Sequence, residues 1–134
     1  MAHTETNKMF RILVVDDDPS LRLTIQEILL EKGYAVKTAS DGLSAYHLLH
    51  DQPFDMLLTD LNMPGMNGLE LLDKVHKEKM GIASILMSSL FSTDPKLYNF
   101  VKKRYVHLYK PFSSNSLFSL IENSLNGEKK LAQI

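Results

Sequence analysis

Short apolar runs alternate with longer amphipathic stretches along the chain. Ile12-Leu13-Val14-Val15 has no polar face, and Met56-Leu57-Leu58 and Ile85-Leu86-Met87 share that character. Runs of this length without alternation suit strands covered on both sides, as in a parallel sheet between helical layers. Tyr34 to Ala39 and His107 to Tyr109 are weaker strand candidates. Between these runs the apolar residues recur at helical spacing. Asp18 can cap a helix, and Pro19 suits its first position, where no backbone donor is needed. Leu21, Ile25, Ile28 and Leu29 then share a face, and Gly33 ends the run. Asp41-Gly42 opens a second helix that turns Leu43, Tyr46 and Leu49 or His50 inward. Gly68 opens a third, with Leu69, Leu72, Val75 and His76 on one face. A fourth starts near Asp94-Pro95 and runs through Leu97, Phe100 and Val101. The last spans about Ser114 to Asn126, with Leu117, Leu120, Ile121 and Leu125 facing in, and Asn126-Gly127 stops it.

Strand followed by helix, five times over, predicts an α/β three-layer sandwich with right-handed crossovers. The 134 residues fit one domain, over residues 9–126. Residues 1–8 read as a flexible leader, and residues 127–134 as a polar tail or linker stub. A formal net charge of −1 argues against a broad electrostatic grip on nucleic acid or on an anionic membrane. The absence of cysteine excludes disulfides, thiolate metal sites and cysteine nucleophiles. No apolar run approaches the ~18 residues of a membrane helix, and the first residues carry no signal-peptide core. The expectation is a cytoplasmic domain without membrane contact.

In a parallel α/β sheet the chemistry sits outside the carboxyl ends of the strands. Strand one ends in Asp16-Asp17-Asp18, strand three in Thr59-Asp60, strand four in Ser88-Ser89 and strand five in Lys110-Pro111-Phe112. Crowded carboxylates repel one another, and a hard cation relieves them. Mg²⁺ takes oxygen ligands, accepts one or two carboxylates and keeps several waters, so the cluster reads as a Mg²⁺ site. A carboxylate beside that ion can be the nucleophile toward a phosphoryl group. Lys110 and the Ser88 hydroxyl would then meet two of the phosphoryl oxygens. The loop Leu61-Asn62-Met63-Pro64-Gly65-Met66-Asn67-Gly68 can fold back tightly over the strand end, and the Asn62 carbonyl could complete the metal shell.

These stretches resemble the receiver domain of two-component response regulators. The match lies in Ile12 to Pro19, in Asp55 to Leu72 with Thr-Asp-Leu-Asn-Met-Pro-Gly at its centre, in Ile85 to Ser89 and in Lys110-Pro111-Phe112. It covers about Met9 to Leu125. The resemblance implies a doubly wound, flavodoxin-like parallel sheet of strand order 2-1-3-4-5. It implies that Asp60 accepts a phosphoryl group from a phosphohistidine on a sensor histidine kinase or a histidine phosphotransfer protein. Asp17 would ligate Mg²⁺ directly, Asp16 would assist and Asn62 would offer its carbonyl. Ser88 would be the switch hydroxyl, and the Lys110–Pro111 peptide would be cis. Such a domain is a phosphoacceptor that catalyses only its own phosphorylation and slow dephosphorylation. Phosphorylation would change the face of helix four, strand five and helix five for a downstream protein, an effector domain or a second copy of the chain.

The match has departures. His107 stands where the family usually carries Tyr or Phe, and its ring can titrate near neutral pH. Inward movement of His107 is expected only when it is neutral. Lys103-Arg104-Tyr105-Val106 replaces the usual small pair before strand five, and Ser89-Leu90 follows the switch residue. Two other functions compete. A haloacid-dehalogenase-type Mg²⁺ phosphatase would make Asp16 the nucleophile and Asp18 the acid, but leaves Met63-Pro64-Gly65 and Lys110-Pro111-Phe112 without a role. A phosphorylation-independent binding module would leave the acidic set without one. His47 and His50 share a helix face with no third ligand nearby, which does not make a Zn²⁺ site.

Overall fold

A computed structural model describes residues 9–126. The terminal segments 1–8 and 127–134, with Gly127, lie outside the described residues. Five strands alternate with helices: β1 (Arg11–Val15), α1 (Pro19–Glu31), β2 (Ala35–Ala39), α2 (Gly42–Asp51), β3 (Met56–Asp60), α3 (Gly68–Lys77), β4 (Ala83–Ser88), α4 (Pro95–Arg104), β5 (Val106–Tyr109) and α5 (Ser114–Leu125). One helical turn, Leu90–Thr93, precedes α4 and has no counterpart in the sequence reading. The sheet is parallel throughout, in the order β2-β1-β3-β4-β5.

Every residue of β3 is buried, as a central strand with helices on both faces requires. One layer packs Leu13, Leu57 and Leu86 of the sheet against Ala45, Leu49, Leu71, Leu72, Val75 and Val101 of α2, α3 and α4. The other packs Ile12, Val14, Met56, Leu58 and Ile85 against Ile25 and Leu29 of α1 and Leu117 and Ile121 of α5. Each of the Leu, Ile, Val and Met side chains contributes roughly 1.5–3 kcal/mol of burial. No helix among the described residues is long and apolar enough to cross a membrane.

The helix signals in the sequence are realised as hydrogen bonds. The Asp18 side chain accepts from Ser20 N and Leu21 N, and Pro19 opens α1. Lys32 closes α1, and Gly33 turns the chain at φ 96°. Asp41 caps α2, Asp94 caps α4 and Ser113 caps α5.

Three residues of the helical apolar spacing lie off the buried faces. Leu43 is exposed, because Gly42, Ala45 and Leu49 form the buried stripe of α2. His76 is exposed, because Leu71, Leu72 and Val75 take the inner face of α3 and His76 lies one step round the helix. Phe100 is exposed, because α4 buries Val101 one step further on, and the Arg104 guanidinium stacks 4.5 Å from the Phe100 centroid. In each case the apolar spacing fixes the stripe only to within one residue.

Candidate functional site

Parallel strands deliver their carboxyl ends to one edge of the sheet. β1 runs into Asp16 and Asp17, β3 ends on Asp60, β4 ends on Ser88, and β5 runs into Lys110. Asp16 is fully buried, Asp60 nearly so, and Asp17 faces solvent. One carboxylate oxygen from each of Asp16, Asp17 and Asp60 lies within 4.8 Å of the other two. The Lys110 ammonium bridges two of the three, with Nζ 2.8 Å from Asp60 Oδ1 and 3.1 Å from Asp16 Oδ2.

The backbone holds these groups in place. Asp18 N donates to Asp16 Oδ1 at 2.9 Å, and Arg22 Nη1 donates to the Asp16 carbonyl at 2.7 Å. Asp16 N donates to the Ala39 carbonyl, tying the end of β1 to β2. Beyond Asp60, Leu61 N donates to the Met87 carbonyl and Gly68 N to the Leu61 carbonyl, which folds the loop back over the strand end. Gly68 allows this approach, since a Cβ there would meet the Asp60 carbonyl oxygen at 2.2 Å. The loop then enters α3 through a capping box between Asn67 and Glu70. The sequence reading passed over that box, although Asn-x-x-Glu before an apolar run is its signature.

Electrostatics follow burial. Desolvation pushes the Asp60 carboxyl above the usual carboxylate range. Lys110 opposes the rise, while the charges of Asp16 and Asp17 add to it. Burial acts to lower Lys110, but its hydrogen bonds and charge pairing with Asp60 and Asp16 outweigh that and hold it above the ordinary lysine value. Three carboxylates against one ammonium leave a surplus of negative charge. This is an all-oxygen donor set in which at least one member reaches solvent, and it suits a hard divalent cation such as Mg²⁺. Asn62 lines an open depression with Asp17, Met63, Pro64, Gly65 and Asn67, beside the carboxylates and outside their contact with Lys110.

Ser88 and His107 form a second pair. Ser88 Oγ lies 2.6 Å from His107 Nε2 and accepts from Leu90 N at 3.3 Å. Burial holds the imidazole below its ordinary pKa. The sequence placed both residues at the switch but gave no sign of a direct hydrogen bond between them. That contact needs the β4–β5 register, which sets Leu86 beside His107 and Ser88 beside Tyr109 and so puts Ser88 and His107 on one face. The Lys110–Pro111 peptide is cis, as the resemblance implied.

Asp18 does not join the cluster as an acid. Its side chain is committed to the N-terminus of α1, where Oδ1 accepts from Ser20 N and Leu21 N. His50 likewise pairs with Glu78, at 3.0 Å, rather than with His47.

Comparison with known proteins agrees with this geometry. Residues 12–122 match the response regulator receiver domain. The probable transcriptional regulator ycf29 of Pyropia yezoensis is 34% identical over 116 residues, covering 85% of this chain and 52% of that protein. The transcriptional regulatory protein TctD of Salmonella typhimurium is 30% identical over 107 residues, covering 80% of this chain and 48% of its own length. The chain thus spans about half the length of these relatives. Among solved structures, the chemotaxis protein CheY4 of Vibrio cholerae superposes with a TM-score of 0.76 at 28% identity, over 87% of this chain and 99% of that one. The response regulator TrrA of Thermotoga maritima, in complex with Mg(2+)-BeF, gives 0.75 at 30% identity, over 86% of this chain and 98% of that one. With the receiver pattern running through most of its length and the same fold in these neighbours, this chain belongs to the response regulator receiver-domain family.

Proposed function

We propose that Asp60 is the phosphoryl acceptor of a signalling switch. The donor is a phosphohistidine on a sensor histidine kinase or a histidine phosphotransfer protein. The observation that carries this reading is Lys110 Nζ, 2.8 Å from Asp60 Oδ1 and 3.1 Å from Asp16 Oδ2. A nearly buried carboxylate next to an ammonium, in an acidic cluster whose surplus charge a divalent cation would offset, is arranged to meet a phosphoryl group.

Asp16, Asp17 and Asp60 would hold Mg²⁺, with the Asn62 carbonyl beside them. When bound, the ion offsets the negative charge that the carboxylates and the phosphoryl oxygens would otherwise present to each other. An Asp60 carboxylate oxygen attacks phosphorus, and a P–O bond forms as the P–N bond breaks. The electron pair stays on the imidazole nitrogen, which takes up a solvent proton. Lys110 faces one phosphoryl oxygen and the Ser88 hydroxyl another. The product is an acyl phosphate that adds charge at the edge of β3 and alters the α4–β5–α5 face. That face then engages a downstream protein, an effector domain or a second copy of the chain. The domain itself does not grip nucleic acid, consistent with its net charge of −1, and we place its action in the cytoplasm.

The phosphatase alternative would need Asp16 as nucleophile. Both Asp16 oxygens are engaged, Oδ1 by Asp18 N and Oδ2 by Lys110, and Asp18 is a helix cap. Both facts favour Asp60. The test is intact-mass measurement after treatment with acetyl phosphate and Mg²⁺. The wild-type chain is expected to gain one phosphoryl mass and the Asp60→Asn variant none. Labelling that survives Asp60→Asn and disappears in Asp16→Asn would overturn the reading.

A further inference from the structure

The Ser88 hydroxyl has one proton to give, and its oxygen already has two neighbours. His107 Nε2 lies 2.6 Å from Oγ, and Leu90 N donates to the same oxygen at 3.3 Å. Ser88 is only 2% exposed, so water does not readily stand in for a missing partner. The Tyr98 ring meets the imidazole edge-on, with centroids 5.3 Å apart, and helps to keep the ring in place.

A hydroxyl donates one hydrogen bond and accepts two, and a neutral imidazole donates from one nitrogen and accepts at the other. Two arrangements follow. If Nε2 carries no proton, Ser88 spends its only O–H on His107 and has nothing to give an anion. If Nε2 carries the ring proton, His107 and Leu90 both donate to Oγ, and the Ser88 proton is left for another acceptor. A phosphoryl oxygen accepts and never donates, so Ser88 can bind it only in the second arrangement while it keeps His107.

We propose that His107 is a positioning residue for the phosphoryl site: its Nε2 decides whether the Ser88 proton is available to a phosphoryl oxygen on Asp60, and phosphorylation selects the tautomer with the proton on Nε2. The proton leaves Nδ1 and reaches Nε2 by exchange with solvent, and the charge of the ring does not change. Burial favours the neutral ring, which has a single N–H to place. Phe could not play this part, since it has neither donor nor acceptor. The inference rests on the reading of Asp60 and Ser88 given above.

The test is nitrogen NMR of the His107 side chain in the ¹⁵N-labelled protein, with Mg²⁺ alone and then with excess acetyl phosphate, while intact mass is followed on the same sample. The expected result is one phosphoryl mass on the chain and a protonated Nε2 in that state. A phosphorylated chain whose Nε2 stays unprotonated overturns the inference and leaves the Asp60 reading intact. No phosphoryl uptake overturns both. A second measurement asks whether His107 acts through Ser88. His107→Gln is expected to change the lifetime of the acyl phosphate by about threefold or more with Ser88 present, and by less than about 1.5-fold in the Ser88→Ala background. Equal effects in the two backgrounds overturn the inference.

Discussion

Gly68 stands so close to the end of β3 that a Cβ on it would lie 2.2 Å from the Asp60 carbonyl oxygen. The same atom would meet Leu61 Cα and Leu86 Cδ1, each at 2.9 Å. Two of these three neighbours are backbone, so they cannot turn away as a side chain would. Gly68→Ala is therefore expected to destabilise the fold by about 3 kcal/mol and to displace the strand end that carries Asp60. Gly33→Ala is the control. It has open space around it but a φ of 96°, so its cost is the smaller backbone penalty of about 1 kcal/mol. Urea unfolding of the two variants beside the wild type checks the order.

The buried position of Asp60 costs stability. Burial and the charges of Asp16 and Asp17 hold its carboxyl above the usual range despite Lys110. The folded chain therefore keeps that proton more tightly than the unfolded chain, and the ionised side chain at neutral pH works against folding. Asp60→Asn is expected to be more stable than the wild type without divalent ions, by on the order of 1 kcal/mol, or about 4 °C in Tm. Mg²⁺ is expected to reverse the order. At about 100 times its Kd it adds about 2.7 kcal/mol to a chain that binds it, and the variant has lost one of the carboxylates. Thermal melts with EDTA and with Mg²⁺ decide the matter, and a variant less stable than wild type in EDTA would refute the argument.

Lys110 is the counter-charge shared by Asp16 and Asp60. Its replacement by methionine keeps much of the side-chain volume and removes the ammonium. Without Mg²⁺, two buried carboxylates then face each other, and Lys110→Met is expected to lose about 2 kcal/mol of stability, part of which Mg²⁺ restores. Phosphoryl uptake from acetyl phosphate is expected to fall about 100-fold, the effect of removing one charged donor aimed at a developing anion. Lys110→Arg keeps the charge but places it on a longer, planar group, so its uptake should lie between the two. Time courses of intact mass give all three rates.

The layer order of the fold and the strand-end residues were legible because each rests on local pattern. Unbroken apolar runs marked the central strands, and in a parallel sheet the residue after each run must arrive at one edge. Asp16, Asp17, Asp60, Ser88 and Lys110 were found that way. What the sequence left open depends on register and rotation. Leu43, His76 and Phe100 lie one step from the buried stripes of their helices, and the apolar spacing tolerates that step. The Ser88–His107 hydrogen bond needs the pairing of β4 with β5, and its residues lie nineteen apart in sequence. The turn Leu90–Thr93 was missed because four residues are too few to show a helical period.

His107 gives the fold an acid-sensitive element. Desolvation holds its pKa below the ordinary value of 6.5. Well above pH 6.5 the ring is neutral in both folded and unfolded chains, and its contribution to stability is complete. As pH falls through 6.5, the unfolded chain takes up the proton first, so stability drops until the folded ring also titrates. His107→Phe cannot take up that proton. Between pH 7.5 and pH 5.5 the wild type is expected to lose more stability than the variant. The comparison is between slopes, because removing the bond to Ser88 also shifts the variant's stability by an amount that does not depend on pH. Contributions common to the two proteins cancel in that comparison. Urea unfolding free energies at four pH values across this window give the two slopes, and parallel lines would rule out a desolvated imidazole at this position.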